Sequence, residues 1–239
     1  MSLLTAFAFF SLALIGSCIG QQYIKVNITV YDETLCSGCS EWFSEEFDPL
    51  VAAPGVLDII GTFDVVPFGF SYYEVPLCPS KTPGQWNSDT CGCWMKSCQV
   101  PNKTVVPPPS CFKSQLVLAQ HGPQEHLGDR ISGCVLELYP MSRALKFVRC
   151  FIGDYKGNIT WAPHCAEQCR INFQAISSCT HTLRGDTIEL SNAIQTLQAM
   201  ISYTPWVEVN GVHTELSLLH AVCDAYQGPK PKGCSEVLV

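Results

Sequence analysis

Apolar and polar residues alternate along residues 23–31, YIKVNITVY, and this period of two predicts a β-strand. The apolar positions on one face of that strand are Ile24, Val26, Ile28 and Val30. Further along, apolar residues recur at helical spacing and predict a helix over residues 37–52, which ends before Pro54. Its apolar positions are Phe43, Phe47 and Leu50 or Val51.

The rest of the pattern predicts a second strand over residues 56–66, a late hairpin and three more helices. The helical spacings are Met141, Leu145, Val148 and Ile152, then Leu190, Ile194, Leu197 and Ile201, and finally Leu216, Leu219, Cys223 and Tyr226. Trp206 to Val209 predict a short strand that an Asn210-Gly211 turn closes into a hairpin. Thr214 is a candidate cap for the last helix.

Residues 72–114 break this regular pattern, because Pro and Gly are frequent and periodicity disappears. Five cysteines crowd this segment: Cys78, Cys91, Cys93, Cys98 and Cys111. We expect a loop-rich insertion that disulfide bonds hold together. Around it, the order of elements resembles an α/β thioredoxin-like fold with a disulfide-rich, partly helical insertion at about residues 72–185.

The first twenty residues, MSLLTAFAFFSLALIGSCIG, indicate a cleaved secretory signal peptide. No Lys or Arg precedes their apolar run, so an uncleaved anchor and a lipidated Cys18 are the alternatives. No other run reaches the roughly 20 apolar residues that a membrane span needs. Residues 21–239 are therefore expected to form a soluble domain.

Cysteine content indicates an oxidising compartment. Removing residues 1–20 takes Cys18 from the 15 cysteines and leaves 14, an even number that favours disulfide bonds. Sequons at Asn27, Asn102 and Asn158 fit a glycoprotein of the secretory pathway. The net charge of −7 and the lack of a basic run argue against nucleic acid or an anionic membrane as a partner.

Cys36-Ser37-Gly38-Cys39 lies where the first predicted strand gives way to the helix. Unpaired N–H groups and the macrodipole at a helix N-terminus stabilise an anion such as a thiolate. Cys36 is therefore the candidate nucleophile with a lowered pKa, and Cys39 is the candidate resolving thiol. A structural disulfide and half of a zinc site are the alternatives, but no second cysteine pair has good spacing for zinc.

Thr204 and Pro205 precede the late strand. Thioredoxin-like proteins carry a cis proline at this place, which packs against the two cysteines and leaves a backbone edge free for the substrate chain. We therefore predict a cis Thr204-Pro205 bond and a substrate-binding role for both residues.

Four motifs occur in order along the chain: CSGC at residues 36–39, QHGPQE at 120–125, YTPWVEVNG at 203–211 and CDAYQG at 223–228. With them the chain resembles the gamma-interferon-inducible lysosomal thiol reductase family from about Val26 to Cys234. The resemblance implies an enzyme that reduces disulfides of unfolded proteins in acidic endosomes or lysosomes. Cys36 would attack the substrate, Cys39 would release it, and a small thiol would regenerate the pair without a bound cofactor.

The family signature is CQHGxxECxxNxxxxC, and this chain has AQHGPQEHLGDRISGC at residues 119–134. Ala119 and His126 stand at cysteine positions, Asp129 stands at the asparagine position, and Cys134 is kept. Both cysteines are replaced together, which suggests that the chain lacks one structural disulfide and not that the enzyme is inactive.

Several assignments remain open at this level. A disulfide oxidase or isomerase on the same fold is one alternative function, and a secreted disulfide-rich binding or defence protein with a structural CxxC is another. The destination is a lysosome, an endosome or the exterior of the cell. His121 and His126 show no partner at ligand spacing, so we expect packing or surface histidines and no metal site. Cys165 and Cys169 share one helix face and are expected in separate disulfides.

Overall fold

The computed structural model describes residues 23–98, 107–114 and 116–235. Its strands are β1 (Val26–Asp32), β2 (Ile60–Pro67), β3 (Tyr72–Tyr73), β4 (Val117–Leu118), β5 (Trp206–Val209) and β6 (Val212–His213). Its α-helices are α1 (Ser37–Trp42), α2 (Asp48–Ala52), α3 (Ser88–Ser97), α4 (Pro123–Leu138), α5 (Met141–Val148), α6 (Ala162–Gln168), α7 (Phe173–Thr180), α8 (Leu183–Ala199) and α9 (Leu218–Ala225). The signal-peptide prediction for residues 1–20, including Cys18, and the sequon at Asn102 lie outside the described residues.

The main sheet has four strands in the order β2-β1-β5-β6. Strand β1 runs parallel to β2 and antiparallel to β5, and β5 pairs antiparallel with β6. A helix follows β1 and another follows β6, which is the topology of the thioredoxin fold. The predicted fold class is therefore confirmed, with α3 to α7 and the small β3-β4 sheet between β2 and β5.

The alternating pattern of β1 forms one wall of the core. Val26, Ile28 and Val30 are at most 1% exposed, as predicted, whereas Ile24 precedes the strand and is exposed. Helix α1 continues through the π-helical segment Phe43–Phe47 into α2, and this confirms the helix predicted over residues 37–52. Burial of each large apolar side chain in this core contributes roughly 1.5–3 kcal/mol.

Two local predictions need correction and one is confirmed. Residues Val56–Ile59 form a 3-10 helix, so the second strand begins only at Ile60. Thr214 does not cap α9: Ser217 precedes that helix, and the first-turn N–H of Leu218 donates to the Glu46 carboxylate instead. The Asn210-Gly211 turn closes β5 and β6, and both residues have the positive φ that a type I′ turn requires.

The insertion is more helical than its sequence indicates. Helix α3 begins after Asn87, whose side chain accepts a hydrogen bond from the Thr90 N–H. Only Thr90 and Trp94 are buried in this helix, so its sequence carries no apolar period. Helix α4 was also not predicted, since its buried face consists largely of polar and small residues.

Five disulfides cross-link the described part of the chain: Cys78–Cys93, Cys98–Cys111, Cys134–Cys179, Cys150–Cys165 and Cys223–Cys234. The expectation for Cys165 is confirmed, but that for Cys169 is wrong, because its thiol is free. The neighbouring helical turn, Arg149–Asp154, offers only Cys150 as a partner. Among the described helices, none combines the length and the apolar content that a membrane span requires.

Helix α4 fixes the loop between β1 and α1. The Thr34 N–H and hydroxyl both donate to Asp129 Oδ1, over 2.9 and 2.6 Å. A Cβ added at Gly128 would lie 2.3 Å from Thr34 Cγ2, and one at Gly157 would lie 2.0 Å from the Thr34 carbonyl oxygen. Glycine is therefore required on both sides of Thr34, which lies two residues before Cys36 in the chain.

Removal of Cys134–Cys179 should destabilise the protein more than removal of Cys223–Cys234. The first bridge spans 45 residues and the second 11. Loop-closure entropy gives costs of about 4 and about 3 kcal/mol for the two bridges. Urea unfolding of the two double Cys→Ala variants measures the order, and an equal or larger loss for the shorter loop would contradict it.

Asp129→Asn should raise the free energy of unfolding at neutral pH. Burial and the charge of Glu125 raise the pKa of Asp129 well above its ordinary value. The folded state therefore keeps a proton that the unfolded chain releases, and stability falls as pH rises above about 4. Asparagine keeps the Oδ1 acceptor for Thr34 and does not titrate.

We expect Asp129→Asn to gain at least ~1 kcal/mol at neutral pH and little near pH 4. Urea unfolding at both pH values measures this, with the exposed Asp58→Asn as a control that shows no such difference. A loss of stability in Asp129→Asn at neutral pH would show that the buried carboxylate is favourable.

Candidate active site

Cys36 is the N-cap residue of α1, and its half-buried sulfur faces the first turn of that helix. The Cys39 N–H donates to Cys36 Sγ over 3.2 Å, and the Thr204 hydroxyl donates to it over 3.4 Å. As a thiol, Cys36 can itself donate to the Thr204 carbonyl oxygen, 3.7 Å away. Cys39 lies one turn further into the helix and is 1% exposed.

The pKa values of the two thiols are shifted in opposite directions. A hydrogen bond from the Cys39 thiol, with others from the Thr204 hydroxyl and the N–H groups of Cys39 and Gly38, outweighs partial burial and lowers the pKa of Cys36 to about 6. Burial, followed by the interaction with Cys36, raises the pKa of Cys39 well above its ordinary value. The exposed sulfur is thus the stabilised thiolate and the shielded one stays protonated, which is the asymmetry expected from the sequence.

The Thr204-Pro205 bond is cis, as predicted. A Cβ built on Gly38 would lie 3.5 Å from the Thr204 carbonyl oxygen, 3.6 Å from Pro205 Cδ and 3.8 Å from Cys36 Sγ. The start of α1 and the segment before β5 therefore meet in van der Waals contact. The structure brings together all four residues that the sequence analysis assigned to catalysis and substrate binding.

Four buried carboxyl groups lie close to the cysteine pair: Asp32, Glu33, Glu125 and Asp129. Glu33 Oε1 accepts a hydrogen bond from the Phe70 N–H over 2.6 Å, and Oε2 accepts one from the Thr204 hydroxyl over 3.3 Å. The Thr204 hydroxyl thus lies within hydrogen-bond distance of both the Glu33 carboxyl and the Cys36 sulfur, and its single proton is donated to one of them at a time. Sequence reasoning did not assign Asp32, Glu125 or Asp129 to the site. Glu125 and Asp129 lie in the signature segment, but no spacing connects that segment to the cysteine pair.

Burial makes two of these carboxyl groups weak acids. Burial and the charge of Glu125 raise the pKa of Glu33 to about 8. Burial, followed by the charges of Cys36 and Glu125, raises the pKa of Asp32 to about 8. At acidic pH both groups are therefore neutral, and neither opposes a negative charge on Cys36.

Both histidines have carboxylate partners that their spacing in the sequence does not reveal. His121 Nδ1 lies 2.5 Å from Glu125 Oε2 and 4.0 Å from Glu33 Oε2. The His126 ring hydrogen-bonds to Glu189 on α8. Glu125 lies four residues after His121, but Glu33 and Glu189 come from distant parts of the chain, where ligand spacing cannot be seen.

The two departures from the family signature have different surroundings. Ala119 is fully buried, and its N–H donates to the Gly84 carbonyl oxygen over 3.1 Å. His126, in contrast, is part of a pair with Glu189. The loss of a bridge between these two positions stays a prediction.

Two sequons fall within the described residues. Asn158 is exposed, and its Oδ1 accepts hydrogen bonds from the N–H and the hydroxyl of Thr160. Asn27 is also exposed but lies within β1, where its Oδ1 accepts a hydrogen bond from the Thr62 N–H. Asn158 is therefore the more open of the two side chains.

Comparison with known proteins identifies relatives across most of the chain. The family profile described as gamma interferon inducible lysosomal thiol reductase matches residues 109–170. The gamma-interferon-inducible lysosomal thiol reductase of Carassius auratus is 24% identical over 242 residues, which cover 92% of this chain and 76% of that protein. A gamma-interferon-responsive lysosomal thiol protein of Arabidopsis thaliana is 26% identical over 225 residues, 88% of this chain and 76% of that protein.

Two solved structures have a distant likeness to the chain. A disulfide bond oxidoreductase (DsbG) from Mycobacterium tuberculosis covers 89% of this chain and 83% of its own, with TM-score 0.47 and 13% identity. The thiol-disulfide oxidoreductase MdbA of Actinomyces oris covers 87% and 83%, with TM-score 0.46 and 9% identity.

The profile match covers the signature segment, and the sequence relatives extend the similarity over nearly the whole chain. The chain is therefore similar to the gamma-interferon-inducible lysosomal thiol reductase family over nearly its whole length, and it is a thiol-disulfide oxidoreductase.

Proposed function

We propose that this oxidoreductase reduces disulfide bonds of protein substrates at acidic pH, with Cys36 as the nucleophile and Cys39 as the resolving thiol. One observation carries the proposal. The half-buried Cys36 sulfur accepts hydrogen bonds from the first turn of α1 and from Thr204, whereas Cys39 is buried behind it. A stabilised, accessible thiolate next to a shielded thiol is the arrangement that disulfide exchange requires.

The reaction proceeds in two exchanges. The Cys36 thiolate attacks one sulfur of the substrate disulfide, forms a mixed disulfide and displaces the other substrate sulfur as a thiolate, which takes a proton from water. Cys39 then loses its proton and attacks Cys36 Sγ, so that the second substrate sulfur leaves as a thiol. The enzyme ends with a Cys36–Cys39 disulfide, which two equivalents of a small thiol reduce again.

The Cys39 proton passes to the substrate sulfur that leaves in the second exchange, because Asp32 holds its own proton at acidic pH. Asp32 and the Cys39 thiol interact, since the charge of Asp32 is one cause of the raised pKa of Cys39. A neutral Asp32 therefore lowers the cost of forming the Cys39 thiolate at acidic pH.

Acidic pH makes the lowered pKa of Cys36 decisive. At pH 5 a thiol of pKa about 8.5 is only ~0.03% thiolate. With the pKa of Cys36 lowered to about 6, roughly a tenth of the molecules carry the thiolate at that pH. Glu33 and Asp32 hold their protons under the same conditions, because burial raises the pKa of each to about 8.

An apolar cavity beside the site supports unfolded proteins as substrates. It has a volume of about 180 Å³ and is lined by Phe70, Tyr72, Trp94, Leu197 and Ile201, among others. The Phe70 N–H donates to Glu33, so one wall of the cavity adjoins the site. An apolar side chain near a substrate cysteine fits there, and such side chains are exposed in unfolded chains.

The compartment and the modification belong to the same proposal. The word "lysosomal" in the names of two relatives supports a lysosomal or endosomal destination, and secretion is the alternative. Asn27, Asn102 and Asn158 are proposed glycosylation sites in this pathway. The electron donor is a small thiol, and no bound cofactor takes part in the exchange.

The site bears on the alternative functions as well. A purely structural CxxC is disfavoured, because ten of the described cysteines form five disulfides while Cys36 and Cys39 are free thiols. An oxidase remains a second candidate, because stabilisation of the Cys36 thiolate favours the reduced enzyme and so makes the couple more oxidising. The reduction potential of the Cys36–Cys39 couple separates these activities.

Cys39→Ser should trap substrates as mixed disulfides, because the second exchange then has no attacking thiol. Cys36→Ser should abolish both trapping and reduction of a denatured disulfide protein at acidic pH. The matched controls are Cys91→Ser and Cys169→Ser, which remove the other free thiols of the described residues and should leave reduction unchanged. Reductase activity that survives Cys36→Ser would refute the assignment of the nucleophile.

Thr204→Val should raise the pKa of Cys36, because the hydroxyl that donates to its sulfur is lost. One hydrogen bond to a charged group is worth about 1.5 kcal/mol or more, which is roughly one pKa unit and slows alkylation about five-fold near pH 6. Rates of iodoacetamide alkylation against pH measure the shift. Thr204→Ser keeps the hydroxyl and should match the wild type, and equal profiles for all three proteins would contradict the role of this hydrogen bond.

A further inference from the structure

Glu33, His121 and Glu125 form a compact group of ligand-type atoms next to the cysteine pair. One nitrogen of His121 and one carboxylate oxygen of each Glu all lie within 4.8 Å of one another. Glu33 follows β1, His121 precedes α4, and Glu125 lies in the first turn of α4. Two separate stretches of the fold, the end of β1 and the start of α4, therefore converge on this point.

The two carboxyl groups are short of positive charge. Glu33 and Glu125 are fully buried, and among the described residues their only ion-pair partner is His121. The negative charge of one carboxylate makes ionisation of the neighbouring carboxyl group less favourable. The charge of Glu125, for example, raises the pKa of Glu33. Buried carboxylates are stable in proteins when they are protonated, paired with cations or bound to a metal ion.

Asp32 provides a second, independent observation at the same place. Its side chain is 1% exposed, and within the described part of the chain neither carboxyl oxygen has a hydrogen-bond partner. Its pKa is raised by burial and then by the charges of Cys36 and Glu125, so it lies close to both groups. A buried carboxyl group without a hydrogen-bond partner therefore lies beside the three ligand-type residues.

We propose that Glu33, His121 and Glu125 form a binding site for a divalent transition-metal ion, with Zn²⁺ as the expected occupant. An imidazole nitrogen and two carboxylate oxygens are a donor set that Zn²⁺ accepts, and water completes a tetrahedral shell. The His121 side chain is 42% exposed, which gives the ion a path from solvent.

The observed distances fit such an ion. Ligand atoms at ~2.0 Å from a tetrahedral Zn²⁺ are about 3.3 Å apart. His121 Nδ1 lies 2.5 Å from Glu125 Oε2 and 4.0 Å from Glu33 Oε2, on either side of that value. The ion takes the place of the proton between His121 and Glu125, and small side-chain rotations equalise the two distances.

The position of the site gives the ion an effect on the cysteine pair. Thr204 Oγ1 hydrogen-bonds to both Glu33 Oε2 and Cys36 Sγ, so one hydroxyl separates a metal ligand from the nucleophilic sulfur. A doubly charged cation at this distance changes the protonation of a nearby thiol. The ion is not a reactant in the disulfide exchange.

Zn²⁺ binding to the mature chain at neutral pH tests the proposal directly. The protein is first oxidised at Cys36–Cys39, so that this pair cannot supply thiolate ligands. Equilibrium dialysis with metal analysis should find about one Zn²⁺ per chain, and His121→Gln and Glu125→Gln should each weaken binding at least ~10-fold. His126→Gln is the matched control, because His126 also pairs with a glutamate but lies outside the group, and it should bind as the wild type does.

Absence of binding by the wild type overturns the site. Equal binding by the wild type, His121→Gln and Glu125→Gln also overturns it and assigns the zinc to the free thiols of Cys91 and Cys169. Circular dichroism checks that each variant folds, and the partly exposed His121 decides the question if Glu125→Gln does not. The readout involves no thiol exchange, so its outcome is independent of whether Cys36 reduces disulfides.

Discussion

The hydrogen bonds to one sulfur atom organise this protein. Cys36 Sγ receives the Cys39 N–H from the first turn of α1 and the hydroxyl of Thr204 from the segment before β5. Those two segments can meet because β1 pairs with β5 at the centre of the sheet. Three features lie at or next to the place where these segments meet: the buried strand β1, the loop fixed at Thr34 and the cis bond before Pro205. The thioredoxin topology is therefore, in this chain, a means of placing hydrogen-bond donors around one thiolate.

The buried carboxyl groups explain how such a thiolate fits an acidic setting. Burial keeps Asp32 and Glu33 protonated until about pH 8, so they are neutral where the enzyme is proposed to act. At higher pH each carboxylate adds negative charge close to Cys36 and is itself poorly solvated. The same groups that suit the site to acid should therefore make the fold less stable as pH rises.

The sequence predicts the parts of this structure whose signals are local. The strand before Cys36, the helix after it and the Asn210-Gly211 hairpin follow from periodicity and turn chemistry, and the family motifs identify the cysteine pair. Helix α4 escapes prediction because Glu125 and Asp129 face the interior and interrupt any apolar period. The partners of Glu33 likewise come from positions 37 to 171 residues away, and no spacing rule reaches so far. Free thiols at Cys91 and Cys169 depend on which cysteines face them in space, which an even count does not reveal.

A direct titration of the thiolate in the fully reduced protein is the most direct test of this account. The ultraviolet absorbance of thiolate should rise with a midpoint near pH 6, in line with the lowered pKa of Cys36. The same transition should be missing from Cys36→Ser and unchanged in Cys91→Ser. If no thiolate forms until about pH 8.5, the ordinary value for cysteine, the hydrogen bonds to Cys36 do not stabilise its charge and the account is wrong.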